Sequence, residues 1–430
     1  MMYLQTDDQT IDDLGIFGKR NGTGIYDIYN HTNTRGGELV LEEMFRAPLC
    51  DQAAINRRSN IIAQFTKAGL RWTFDVSLFD ITEKYLLHGH KEQQQQQVQL
   101  SEKEIQHGVA SVINLLRVTK DFIEKKEMQQ IHAYASELEA IDTLLSDPLL
   151  APAWKEDPAK HKLSYAAITA VDALFRVTAR ETIKQLLTQL YLLDTYISVA
   201  KTAADRGFVF PKALPKGEAV LSIEGVYHPS IQGAVRNNIY MQATKNVIFL
   251  TGANMAGKST LLRSLSTALF IAHMGFPVAA TSMQFSVLDG LYTTINLPDN
   301  LGIGASHFYA EVLRVKKMAT ELNSGKSLFI LFDELFRGTN VKDAHEATVA
   351  VTKGFAGKSN SLFIISSHIV EAGEDLKAKS NIGFRFLPTR MNGHKPEYTY
   401  TLEEGITDDR HGMIIIRNEG ILETLKNGKK

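Results

Sequence analysis

The chain contains one cysteine, Cys50, which excludes an internal disulfide and fits a reducing compartment. Excess charge is also lacking. The 47 basic residues stand against 48 acidic ones, for a formal net charge of −1. Nothing global therefore marks a nucleic-acid or membrane binder, and any DNA-contacting face has to be local. No uninterrupted apolar stretch approaches the ~18 residues that a membrane helix needs. The opening "MMYLQTDDQTIDDLG" is acidic and polar, without the basic and apolar regions of a secretory signal. The expectation is a cytoplasmic protein with no membrane partner.

What is present is length and pattern. At 430 residues the chain exceeds the size at which one hydrophobic core is usual. From Glu42 to Ala204 apolar residues recur at three- and four-residue steps in "LEEMFRAPL", "AAINRRSNIIAQFTKAG", "SEKEIQHGVASVINLLRVTKDFIEKKEMQQIHAYASELEAIDTLL" and "ARETIKQLLTQLYLLDTYISVAKTAAD". These read as long helices, interrupted by "DPLLAPAWKEDP". The tract "EQQQQQVQL" reads as a solvated helix face or connection. Prolines and glycines cluster in "RGFVFPKALPKGEA", and after them "AVLSI", "NVIFL", "SLFILF" and "SLFIIS" alternate with helical stretches. That is the pattern of a largely parallel sheet with helices on its faces. Two domains are expected, an all-α domain over residues 1–212 and an α/β domain over 213–430.

"TGANMAGKST" follows the strand-like run "NVIFL" and precedes the helical "STLLRSLSTALFIAHMG". Gly252, Ala253, Asn254, Met255, Ala256, Gly257, Lys258 and Ser259 satisfy G-x-x-x-x-G-K-[ST] between a strand and a helix, the setting of a P-loop. Gly252 and Gly257 let the backbone turn tightly, so that several N–H groups face one anion. Lys258 supplies a point charge for the β- and γ-phosphates, and Ser259, followed by Thr260, a hydroxyl for Mg²⁺. "SLFILFDE" ends a buried strand on Asp333, suited to the Mg²⁺ shell, and Glu334, suited to orienting or deprotonating the attacking water. The strand "SLFIIS" ends near His368, at the same expected sheet edge. The cofactors implied are ATP and Mg²⁺.

These segments resemble the MutS family of ATPases. "TGANMAGKST" looks like that family's TG-x-NM-x-GKST loop, and "DELFRGTN" is similar to D-E-x-x-R-G-T-[ST], with Asn340 at the last position. "SSHIVEAG" resembles T-H-x-x-E-L, and "GASHFYAE" resembles G-x-S-T-F-x-x-E with His307 for Thr. Upstream, "IEGVYHPSI" looks like the entry G-R-H-P with Tyr227 for Arg, and Tyr29–Ile62 carries the T-x-T-x-x-G, P-L and I-x-x-R of the family's helical core.

The resemblance implies a P-loop NTPase of ABC type preceded by an all-α lever domain, working as a homodimer in which Ser306 reaches the partner's γ-phosphate. It implies double-stranded or branched DNA as partner, in repair or recombination. The chain starts almost at the lever segment, so a short form without intrinsic mismatch reading is expected. "FIE" at Phe122–Glu124 matches the family's wedge only in letters. At the family's adenine-contacting aromatic stand Ala234 and Val235, so base stacking is expected from elsewhere or is weaker. "TTINLPDNLG" keeps Asp299 but lacks the Arg and Gly of R-I-G-x-x-D.

Basic residues in Asn56–Trp72 and Arg117–Lys126 are the local DNA-contacting candidates, and a solvated helix face explains them as well. Two other readings stay open: a switch that grips a protein or ribonucleoprotein partner with DNA irrelevant, and, less favoured, a small-molecule phosphotransferase.

Overall fold

The structure, a computed structural model, describes residues 2–18, 22–87, 100–253, 255–296, 307–337, 339–392, 395–407 and 420–427. The chain forms two compact units. One comprises Met1–Asp27, Ala47–Ser59 and Gly207–Lys430, and the other comprises Ile28–Arg46 and Asn60–Arg206. The glutamine tract at 93–97 and the segment around Ser306 lie outside the described residues.

The second unit contains no strand among its described residues. Its helices include α3 (Arg35–Arg46), most of α4 (Gln52–Ala68), α5 (Val76–Leu87), α6 (Glu102–Ile123), α7 (Lys126–Gln129), α8 (Ala135–Leu145), α9 (Ala151–Trp154), α10 (Tyr165–Ala173) and α11 (Arg180–Arg206); α1 (Asp8–Leu14) and α2 (Ile25–Tyr29) precede them. Periodicity dictates what each helix buries. Along α6, Val109, Val112, Ile113 and Leu116 form one stripe, and Ser101 with Glu104 closes a capping box at its start. Phe122 is 2% exposed and packs on Phe74, so the aromatic of "FIE" belongs to the core, while Glu124 is exposed.

The long helix expected through 101–145 is broken. It stops at Ile123 and resumes as α8, with α7 and a 3₁₀ turn at His132–Tyr134 between. Ile131 and Tyr134 turn inward there, a tertiary gain that overrides the helical tendency of the intervening polar residues.

The T-x-T-x-x-G segment has a single physical cause. Asp194 on α11 is fully buried, and its carboxylate accepts from the backbone N–H of Asn33 (2.9 Å) and Thr34 (2.8 Å), the Asn33 amide (3.0 Å) and the Thr34 hydroxyl (2.8 Å). Thr34 Oγ1 in turn accepts from Gly37 N–H at 3.0 Å, capping α3. A Cβ on Gly37 would lie 2.5 Å from Asp194 Oδ2.

The first unit holds the expected α/β layers. A six-stranded sheet runs β12 (Glu403–Glu404), β9 (Ile382–Leu387), β4 (Val247–Gly252), β8 (Leu362–Ser366), β7 (Leu328–Phe332), β6 (Gly290–Thr294). All its pairings are parallel except β12 with β9. The runs "VIFL", "LFILF" and "LFIIS" are buried on both faces, which is why they read as continuous apolar segments and not as alternating ones. Helices α12 (Lys258–His273), α13 (His307–Asn323), α14 (Val341–Ala356) and α15 (Val370–Leu376) connect these strands. A four-stranded mixed sheet orders β1 (Lys212–Leu214), β5 (Ser282–Ser286), β2 (Leu221–Val226), β3 (Asn237–Met241), and β10 (Thr389–Asn392) pairs with β11 (Lys395–Tyr398).

The expected single boundary at 212/213 needs correction. The junction at Arg206/Gly207 lies near it, but two earlier segments fold with the α/β unit. Backbone and imidazole bonds hold one of them: Leu49 N–H donates to the His273 carbonyl, and His273 Nδ1 meets the Leu49 carbonyl, both at 2.9 Å. Periodicity within a segment does not report which distant surface it will join.

Replacing Asp194 with Ala is expected to strand four donors and destabilise the helical unit by about 2–4 kcal/mol. A urea midpoint for Asp194→Ala equal to that of the unaltered chain counts against this account of the T-x-T-x-x-G segment.

Candidate active site

The loop after β4 is shaped by backbone conformations that few side chains tolerate. Gly252 has φ 149° and Gly257 φ 94°, and Met255 also adopts a positive φ of 68°. Gly257 caps α12 without a side-chain bond, leaving the first N–H groups of the helix directed at the loop mouth. Lys258 opens that helix and is 5% exposed. Its ammonium donates to the carbonyls of Gly252 (2.7 Å) and Ala253 (3.1 Å). Burial pushes the lysine below its ordinary range, while Asp333 and Glu334 oppose that shift. Ala256 is buried and Thr260 exposed; Asn254 lies outside the described residues.

Parallel order places the ends of β4, β8 and β7 side by side. Asp333, just past β7, accepts from Ser259 Oγ on α12 at 2.5 Å and from Ser366 Oγ at the end of β8 at 2.7 Å. Its own N–H donates to the Thr294 carbonyl at the end of β6, at 2.8 Å. Glu334 follows with φ 58°, and Phe336 with φ 62°, so the exit from β7 is a strained turn. His368 Nε2 lies 2.6 Å from Glu334 Oε1, and Arg337 Nη1 lies 3.4 Å from Oε2. The His368 hydrogen bond is the largest influence on this carboxyl. Burial opposes it, but with the charge of His368 and Arg337 added the carboxyl is held at about 2.

A divalent ion fits the oxygen donors here. Ser259 and Asp333 meet at one point, and an oxygen set with few protein ligands suits Mg²⁺, which keeps substrate and water oxygens. Among the described residues no group of three or more His, Cys, Asp or Glu side chains could hold a metal. Such an ion would therefore depend on Ser259, Asp333 and phosphate oxygens. The sequence-predicted residues Gly252, Ala253, Met255, Ala256, Gly257, Lys258, Ser259, Thr260, Asp333, Glu334 and His368 lie in this one region; Ser306 and Asp299 lie outside the described residues.

One feature was missed in the sequence. Beside the loop lies a pocket of about 340 Å³ lined by His228, Ala234, Val235, Thr260, Ser264 and Tyr400, among others. Tyr400, with φ 56°, sits so close to Gly257 that a Cβ there would lie 2.8 Å from its ring. Asn237 fixes the segment, donating to the Tyr400 carbonyl (2.9 Å) and accepting from Leu402 N–H (2.7 Å). An aromatic ring thus reaches the pocket beside Ala234 and Val235 from far along the chain. The run "YTYT" was the available signal, but nothing local ties it to the loop.

The basic patches are partly spent inside the fold. Arg58 donates to the Met274 carbonyl (2.9 Å), and Arg117 to the carbonyls of Trp154 (3.0 Å) and Glu156 (2.6 Å).

Behind the site, Glu311 on α13 is 2% exposed. Burial pushes its carboxyl up to about 7; Arg337 and the Phe336 N–H, whose hydrogen bond it accepts, act the other way, and Glu334 adds to the rise. A carboxyl raised in the folded state contributes stability fully below its ordinary value and loses it as pH climbs through 7. Glu311→Gln should therefore match the parent near pH 5 and exceed it by about 1–3 kcal/mol at pH 8 in urea unfolding. Equal midpoints at pH 8 would show the group ionised without penalty.

Residues 248–427 match MutS domain V. The chain is similar to the DNA mismatch repair protein MutS of Fusobacterium nucleatum subsp. nucleatum, 26% identical over 254 residues, which is 57% of this chain and 28% of that protein. It is similar also to the DNA mismatch repair protein MutS of Brevibacillus brevis, 29% identical over 241 residues, 54% of this chain and 27% of that protein. The matched region thus spans little more than a quarter of these relatives. The match to MutS domain V begins within β4 and takes in the loop, both carboxylates and Tyr400.

Proposed function

We propose that the chain is an ATPase that hydrolyses ATP with Mg²⁺ at the Gly252–Thr260 loop, in a homodimer acting on DNA in repair or recombination. The observation that carries this reading is the meeting of Ser259, Asp333 and Ser366 beside the Glu334–His368 pair, all at one sheet edge next to a helix N-terminus. Loop N–H groups and Lys258 hold the phosphates. Ser259 and Asp333 would hold Mg²⁺, which would supply charge neutralisation for the phosphate oxygens. Glu334 accepts a hydrogen bond from water and aims it in line. The water oxygen bonds to the γ-phosphorus as the bond to the bridging oxygen breaks, and ADP leaves with that electron pair. The water's proton passes to the released phosphate. His368 fixes the carboxylate, and Tyr400 forms a wall against the base.

Dimerisation draws support from α13, whose Tyr309 and Leu313 are 53% and 47% exposed just beyond Ser306. Ser306 acts in this reading on the partner copy's γ-phosphate. DNA as partner rests on the relatives' printed names alone. The use of Arg58 and Arg117 on internal carbonyls favours a second reading, a switch gripping a protein partner.

Lys258→Ala should abolish ATP binding in equilibrium dialysis, and Glu334→Gln should bind ATP yet turn it over at least about a hundredfold more slowly; unchanged turnover removes Glu334 from its role. Tyr400→Ala should raise KM for ATP about tenfold, by about 1–2 kcal/mol of lost stacking, with kcat little changed. A panel of duplex, mismatched and branched DNA, with ATP turnover and particle mass measured in parallel, separates the two partners. Stimulation by none of them favours the protein-directed switch.

A further inference from the structure

The acidic N-terminal segment makes contacts that the reading above does not use. Gln5 lies along the edge of β6, its N–H donating to the Asp289 carbonyl (2.8 Å) and its carbonyl accepting from Leu291 N–H (2.9 Å). Asp7 then caps α1 by accepting from Thr10 N–H at 3.0 Å. The same carboxylate receives Arg314 Nη1 at 3.0 Å and Nη2 at 3.1 Å, a two-pronged pair, and Lys317 Nζ at 3.0 Å. Both cations belong to α13. Arg314 also donates through Nε to Thr294 Oγ1 at 2.6 Å, and through Nη2 to the Thr293 carbonyl. One guanidinium therefore joins the N-terminal segment, the exit of β6 and α13. A turn later Asp13, 4% exposed, accepts from Thr293 Oγ1 (2.9 Å), Ile295 N–H (2.8 Å) and Asn296 N–H (3.0 Å). The backbone that leaves β6 for the Ser306 segment is thus tied down by α1 on one side and by Arg314 on the other.

These ties converge on the proposed machinery without touching nucleotide. Helix α13 begins at His307, directly after Ser306, and its Glu311 holds the N–H of Phe336, two residues beyond Glu334. The Thr294 carbonyl that β6 presents here is the acceptor of Asp333 N–H. Side-chain exposures of 10% for Arg314 and 16% for Asp7 set the bridge apart from a solvated surface pair. Burial raises the Asp7 carboxyl, but the hydrogen bonds and charge of Arg314, with Thr10 and Lys317, bring it down to about 2, so it is ionised at any working pH.

We propose that Asp7 is a positioning residue for ATP turnover: through Arg314 it holds α13 against the exit of β6, setting the placement of the Asp333–Glu334 turn. This rests on the ATPase reading above. Among the described residues the loop at Gly252–Thr260 makes no bond to Asp7, so nucleotide affinity and turnover should respond separately.

The test compares the full chain with Asp7→Asn, Asp7→Glu and Asp8→Asn, the last removing the same charge at an exposed neighbouring position. For each, kcat and KM for ATP–Mg²⁺, the Kd of ADP–Mg²⁺ and the thermal midpoint are measured. Expected is a fall in kcat of about tenfold or more for Asp7→Asn, from misplacement of groups remote from the mutation. The ADP Kd should stay within about twofold, Asp7→Glu should recover part of the loss, and Asp8→Asn should behave as the parent. Unchanged kcat in Asp7→Asn overturns the inference, as does an equal loss in Asp8→Asn. Loss of kcat together with ADP affinity and thermal midpoint also overturns it, since that marks general weakening of the fold. An unaltered chain that turns over no ATP overturns the ATPase reading itself, and this inference with it.

Discussion

The candidate site depends on one carboxylate with two hydroxyl neighbours. Asp333 is bonded on one oxygen by Ser259, the second residue of the helix that follows the glycine-rich loop, and on the other by Ser366, the last residue of β8. Because its N–H also reaches the end of β6, a single residue reports the relative positions of three strands and a helix. Charge-assisted bonds of this length in a partly buried setting fix geometry tightly. Lys258 is drawn toward the loop carbonyls and Glu334 toward His368.

Strain is concentrated on the same edge. Glu334, Phe336 and Met255 all adopt the left-handed backbone region without being glycine. Such conformations persist only where surroundings over-determine them. Here the surroundings are visible: Phe336 packs on Phe308 with the rings tilted and gives its N–H to Glu311, and Leu335 N–H reaches the Ser366 carbonyl. The turn that presents Glu334 is held from behind by a helix whose own placement is set elsewhere.

Much of this was legible in the sequence because it is local. "NVIFL", "SLFILF" and "SLFIIS" are too apolar and too short to be anything but strands buried on both faces, and the loop pattern between strand and helix specifies its own backbone. The carboxylates and His368 follow directly from strand ends. Hidden from that reading were features produced by distant chain segments. Tyr400 reaches the loop only through Asn237, Asp194 explains the threonines and glycines of 32–37 only once α11 lies on α3, and the role of Asp7 needs Arg314. The break after Ile123 was masked by a polar stretch with helix-compatible residues, where buried Ile131 and Tyr134 decide the path. Hydrophobic period reveals which face is buried, not what covers it.

The interleaved course of the chain carries a consequence for how this protein can be dissected. The α/β unit draws on three separate stretches, including Gln5 along the outer strand β6 and Leu49 against the end of α12. A C-terminal fragment beginning at Gly207 would keep every residue of the candidate site yet bare the main-chain groups of an edge strand, an invitation to intermolecular pairing. Insolubility of such a fragment would report a missing border, with the chemistry of the site itself left intact.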